Sequence, residues 1–177
     1  MKTRDLIICS LFAAITAVLA QISIPFPGGV PLTMQTLAVS LTGIILGSKK
    51  GFITQCIYML LGAIGIPVFA SFSGGIQVIF GPTGGFILSF PIMAYVIGLI
   101  CERTNNKGLI LLAMVLGSIV NYAAGTLQFA FITKMSMMES FMACVAPFII
   151  TGLVKAVLAT AIGVKLKENK SVEGVLN

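Results

Sequence analysis

The sequence predicts an all-α membrane protein of six transmembrane helices with both termini cytoplasmic, and three observations carry that reading. Of the 177 residues, 58% are hydrophobic and 9% charged, with a mean hydropathy of +1.09, whereas a soluble chain carries roughly 25% charged residues. The apolar residues fall in long uncharged runs, each near the roughly 20 residues that cross a bilayer as helix. The basic residues sit between or beyond those runs in a one-sided pattern. The formal charge of +6 is therefore a topology signal rather than a nucleic-acid footprint. A transmembrane barrel is disfavoured, because its strands alternate apolar and polar residues with a period of two.

The first run covers 6–24. It follows Lys2 and Arg4 as a cleavable signal peptide would, but it continues through Ile22 and Ile24 and is long enough to span, so it is read as retained. The second and third, 33–47 and 52–65, are short and call for tilt or local thinning of the bilayer. The remaining spans are read at 84–101, 108–132 and 148–166. Between the last two, Met137 to Ala146 is moderately apolar, ends at Pro147 and is expected to lie along the interface. No internal repeat or low-complexity linker divides residues 1–177, which are read as one domain.

With the N-terminus inside, Lys2, Arg4, Lys49, Lys50, Arg103, Lys107, Lys165, Lys167 and Lys170 share the cytoplasmic side and Lys134 stands alone outside. That bias is obtained only if all six spans exist. Four scattered cysteines (Cys9, Cys56, Cys101, Cys144) and no histidine give neither a metal spacing nor a disulfide framework. They are read as small hydrophobes. The chain has no GxxxxGK[ST] motif, no Ser–His arrangement, no HExxH and no carboxylate pair within a span, so ATP binding, proteolysis and other catalysis find no chemistry here. No cofactor and no metal are expected.

The unusual residues collect on the outer side. One connection holds Pro25, Pro27, Gly28, Gly29 and Pro31; another holds Pro67, Phe69, Phe72, Gly74 and Gly75, then Gly81, Pro82, Thr83, Gly84 and Gly85. Neither contains a charge, and both are rich in residues that break helices or permit close backbone approach. Such loops suit walls packed over a cavity. Lys155 is the one ionisable side chain within a span. It lies about 10 Å inside the outer end of a helix beginning near Phe148. A cation at that depth normally faces a cavity with a partner. Gln35, Gln77, Asn121, Tyr122 and Gln128 are the other polar candidates near the outer halves, and Asn121 and Gln128, seven apart, share a helix face. A few polar groups in an apolar pocket are the usual make-up of a ligand site. Ala13 and Ala17 share a face of the first helix and admit close approach of another helix, either within the bundle or from a partner.

The segment Val30 to Leu37, with Gly43 and Gly47 downstream, resembles the start of the second span in the BioY family, the biotin-specific S components of energy-coupling factor (ECF) transporters. Tyr58 to Ala70, followed by Gly74, Gly75 and Gly81 to Gly85, resembles the family's most recognisable segment. Tyr122 with Gly125, and Pro147-Phe148 with Lys155, match later landmarks, so the likeness covers nearly the whole chain. The resemblance implies a plasma-membrane substrate-binding domain that captures biotin from outside, using the external loops and the fourth to sixth spans. Phe69, Gly74, Gly75 and Thr83 then belong to the ligand region, and Lys155 inherits a bond to the ligand. It also implies docking through Ala13 and Ala17 on a transmembrane coupling subunit that works with two ATPase subunits. The family pattern has Asp three residues before the lysine; here Gly152 stands there. Gln35, Asn121 or a backbone carbonyl then takes the acceptor's part, or the ligand is a related vitamin such as lipoate or thiamin. A passive channel or structural membrane subunit is the rival from another class.

Overall fold

The computed structural model describes residues 3–26 and 29–167. Helix α1 (Thr3–Ala20) leads into a small hairpin of β1 (Ser23–Ile24) and β2 (Leu32–Thr33), paired antiparallel with Ser23 opposite Thr33. Then follow α2 (Gln35–Ala63), a 3-10 turn at Ala70–Phe72, the single turn α3 (Ile76–Ile79), and α4 (Gly84–Cys101). The described residues end with α5 (Lys107–Thr133), α6 (Met137–Cys144), a second 3-10 turn at Ala146–Phe148, and α7 (Ile149–Lys167). The first helix stops at Ala20 and not at residue 24, a correction with two local causes. Pro25 disfavours helical backbone at Ile24, and Ser23 and Ile24 find their partners in β2 instead. Thr33 accordingly belongs to a strand, and the next helix starts at Gln35.

Helix α2 is two antiparallel limbs joined without a loop. Gly47 has φ +78° and ψ −173°, a conformation that only glycine adopts freely. The Gln55 amide donates to the Thr42 hydroxyl at 3.3 Å, and that of Gln35 donates to the Tyr58 hydroxyl at 2.6 Å. Thirteen residues of straight helix would hold the first pair about 20 Å apart, so the chain must reverse between them. The limbs 35–47 and 48–63 are the expected second and third spans, and with α1, α4, α5 and α7 they make six helices. Among the described residues, five continuous stretches are long and apolar enough to cross a membrane, one of them carrying both limbs.

Glu102 closes the turn. Its carboxylate accepts from the Ser48 backbone N–H at 2.7 Å and from the Ser48 hydroxyl at 3.0 Å, so it caps the second limb from the far end of α4. A cap of this kind contributes about 1 kcal/mol, helped by the positive end of the helix dipole. Glu102→Ala is expected to lower thermal stability in detergent by about that amount, and Glu102→Gln, which keeps an acceptor, by less. Lys50 pairs with Asp5 at 2.8 Å, and Lys167 donates to the Cys101 carbonyl. These contacts gather the start of α1, the turn of α2, the end of α4 and the end of α7 at one charged end of the bundle.

The limbs of α2 pack most extensively on α4, which packs in turn on α5. The approach is backbone to backbone: a Cβ on Gly98 would lie 2.3 Å from Ser48 N and 2.4 Å from the Gly47 carbonyl carbon. Ile44, Phe90, Met93, Ile97, Ile110 and Met114 fill the interior, while the outward faces carry large apolar side chains such as Leu11, Val18, Leu127 and Ile150. That inverted surface is what a lipid-facing bundle requires. One expectation changes here. Ala13 is buried in the core and half-buried Ala17 packs against it, so Ala13 serves packing within the bundle. The outward face of α1 carries Leu6, Ile7, Ser10, Leu11, Ala14, Ile15 and Val18 instead. Short α6 begins with a capping box, Ser136 and Glu139 each bonding the other's backbone N–H, and packs on α5.

Candidate functional site

At the end of the bundle opposite the charged turn, β2, the loop after α2, the first half of α4, the middle of α5, the end of α6 and the start of α7 surround a cavity of about 330 Å³. Ligand pockets begin at roughly this size. Its wall is largely apolar, including Val30, Leu32, Phe69, Phe86, Phe90 and Phe148. Polar side chains interrupt the wall at Thr33, Gln35, Thr36, Ser71, Ser73, Thr83, Asn121, Tyr122 and Lys155, and six of the predicted residues line it: Lys155, Gln35, Phe69, Thr83, Asn121 and Tyr122.

Each is placed by a local cause. The ring of Phe69 is buried against Gly62, where a Cβ would lie 2.0 Å away, and meets Tyr58 edge-on at 5.6 Å. Gln21 fixes the loop that carries it: its amide donates to the Phe69 carbonyl at 3.1 Å and its oxygen accepts from the Phe72 N–H at 2.8 Å. Ser71 and Phe72 are held there at φ of +57° and +54°, strained for residues with a Cβ. Lys155 reaches from α7 to the Thr33 carbonyl at 2.6 Å and approaches the Thr36 hydroxyl at 3.4 Å. It has no carboxylate partner among the described residues.

The acceptors are sorted by the same network. Gln35 is engaged internally, taking a bond from the Thr33 hydroxyl at 2.9 Å and giving one to Tyr58. Asn121 donates to the Phe86 carbonyl at 2.9 Å and the Ser89 hydroxyl at 2.7 Å, and its own carbonyl oxygen is buried with no partner. A buried acceptor left unpaired costs about 1–3 kcal/mol. The cavity thus offers one cation, the hydroxyl-bearing side chains of Thr36, Ser71, Ser73 and Thr83, and aromatic walls, while the Asn121 oxygen has almost no accessible surface. The cavity suits a small molecule with an anionic or carbonyl end, an N–H donor and an apolar body.

Four predicted residues do not line this cavity. The Gln77 side chain is exposed and donates to the Gly74 carbonyl at 2.8 Å. Gln128 donates to the carbonyls of Ile79 and Gly81 at 2.7 and 2.9 Å and braces the loop before α4. Gly74 lies so close to Ile66 that a Cβ would meet its carbonyl oxygen at 2.5 Å, and Gly75 turns the chain at φ +100°. They shape the wall from behind. Ser71, Ser73, Phe86 and Phe90 do line the cavity and were not singled out from the sequence. Ordinary serines and membrane phenylalanines carry no signal that separates wall from packing.

A family model described as the BioY family matches residues 1–171. The chain belongs to the BioY family. The probable biotin transporter BioY of Pyrococcus horikoshii is 42% identical over 169 residues, covering 96% of this chain and 99% of that protein. The biotin transporter BioY of Thermotoga maritima is 39% identical over 165 residues, covering 93% and 96%. In three dimensions the BioY chain matches the crystal structure of the S-component for biotin from an ECF-type ABC transporter with a TM-score of 0.88, at 23% identity and over 100% of both chains. That likeness shows that the six-helix bundle has the fold of that S-component over its whole length.

Proposed function

We propose that this BioY protein captures biotin at the outer face of the plasma membrane, as the substrate-binding subunit of an ATP-driven importer. The observation that carries the reading is the Lys155 amine, without a carboxylate partner among the described residues, in one aromatic-walled cavity. Lys155 bonds the ligand carboxylate or carbonyl, and Phe69, Phe86, Phe90 and Phe148 pack on the rings and chain. Binding is the whole task of this chain. Hydrolysis of ATP belongs to two ATPase subunits, and a transmembrane coupling subunit joins them to it.

The charged end of the bundle, where Arg4, Lys50, Arg103, Lys107, Lys165 and Lys167 gather, is the cytoplasmic end, with both termini inside and the cavity outside. The exposed face of α1, where Ser10 and Ala14 are four residues apart, is the surface on which the coupling subunit docks. Native mass spectrometry of the purified protein, expressed in cells supplied with biotin, tests the ligand claim. A one-to-one adduct with the mass of biotin is expected. Protein that stays unliganded, or that carries thiamin or lipoate from cells supplied with all three, rejects it.

A further inference from the structure

The charged end of the bundle has a hollow of its own. A groove of about 600 Å³ lies between the start of α5 and the second half of α7. The two helices run in opposite directions, so Lys107, the first residue of α5, and Lys165, near the end of α7, both border it. Val157, Ala161, Val164 and Lys165 recur at helical spacing and form one face of α7. Val164 is buried and Leu111 of α5 half-buried, so these two make the floor, whereas Val157 and Ala161 are exposed. Gly108 and Ala161, with so little side chain, keep the groove open. It is cationic at the end of the spans and apolar further in.

Neither lysine has a carboxylate partner among the described residues. Of the acids nearest in sequence, Glu102 is engaged by Ser48, and Glu168 lies outside the described residues. The positive end of the α5 dipole adds to the field. The Asn106 side chain already takes the Gly108 and Leu109 N–H groups, at 2.8 and 3.4 Å, so an incoming anion is left with the two amines. Basic hollows between transmembrane helices suit the headgroups of anionic lipids. A soluble anion would meet the lysines and leave the apolar floor uncovered. A zwitterionic headgroup would bring a cation of its own against them.

We propose that this groove binds one anionic phospholipid of the bilayer. Its phosphate sits between Lys107 and Lys165, and an acyl chain runs along Leu111, Ala161 and Val157. The site is separate from the outer cavity and does not depend on which ligand that cavity takes.

Native mass spectrometry of the purified full-length chain in detergent, titrated with dioleoyl phosphatidylglycerol or dioleoyl phosphatidylcholine, tests this. One tightly held phosphatidylglycerol per chain is expected, in preference to phosphatidylcholine. Lys107→Gln/Lys165→Gln weakens that first adduct roughly tenfold or more, as the loss of two cations near the membrane surface requires. Ala161→Phe, which fills the groove and keeps both lysines, weakens it as well. Lys49→Gln/Arg103→Gln removes the same charge elsewhere at this end and leaves the adduct as in the wild type. All five side chains are exposed, so the substitutions spare the core. Equal binding of the two lipids by the wild type overturns the proposal, and so does an equal loss in the two charge-removed variants. Undiminished binding by Ala161→Phe identifies a site for a free anion alone and overturns it too. None of these outcomes requires biotin, so failure here leaves the reading of the outer cavity standing, and the reverse also holds.

Discussion

Lys155→Ala is expected to weaken biotin binding by about 1.5–3 kcal/mol, roughly tenfold to a hundredfold, the range for a hydrogen bond to a charged group. The basis is geometric. The amine enters an apolar cavity from α7, is anchored on the Thr33 carbonyl and has no carboxylate partner among the described residues. A cation in that setting gains most from an incoming anionic or carbonyl oxygen, because little water competes for it. The same bond to Thr33 ties α7 to β2, so some stability is lost with the side chain. Lys155→Met keeps much of the apolar stem and isolates the amine. It loses the same bond to Thr33 but keeps the packing, so it should melt above the alanine variant in detergent while binding biotin as weakly. An affinity unchanged by either substitution removes Lys155 from the site.

Gly47→Ala should be strongly destabilising for a change of one methyl group. The position needs φ of +78° with extended ψ, a region essentially closed to residues with a Cβ, at a cost of about 1–3 kcal/mol. The added methyl would also lie 2.3 Å from the Glu102 carboxylate oxygen that caps the second limb. Relief of that clash breaks the cap, adding about 1 kcal/mol. A loss of roughly 2–4 kcal/mol is therefore expected, read as a lower melting temperature or lower monodisperse yield by size-exclusion chromatography. Gly51→Ala serves as the control, since a Cβ there makes ordinary contacts of 3.5 Å and longer. Equal behaviour of the two variants would contradict the reversal at Gly47.

The spans were legible because lipid imposes a coarse rule: uncharged runs of sufficient length, punctuated by lysine and arginine. The reversal within α2 was legible only as a gap near Lys49 and Lys50. That it needs no loop at all depends on one glycine and on a carboxylate 54 residues away, which local sequence does not reveal. The end of α1 was misread because Ile22 and Ile24 extend the apolar run, although strand pairing with Leu32 and Thr33 claims that stretch. Lys155 stood out because charge inside a span is rare. Gln77 and Gln128 drew notice for the same polarity, but their amides are taken up by loop carbonyls. Ala13 and Ala17 show the limit of spacing arguments: small residues on one face signal a close neighbour, and here that neighbour is the protein's own bundle.

Equilibrium binding of labelled biotin to the purified chain, alone in detergent, tests the central claim most directly. One saturable site per chain is expected, displaced by unlabelled biotin, little affected by lipoate or thiamin, and weakened by Lys155→Met. Binding that does not saturate, or a saturable site indifferent to that substitution, would contradict a vitamin cavity built on this side chain.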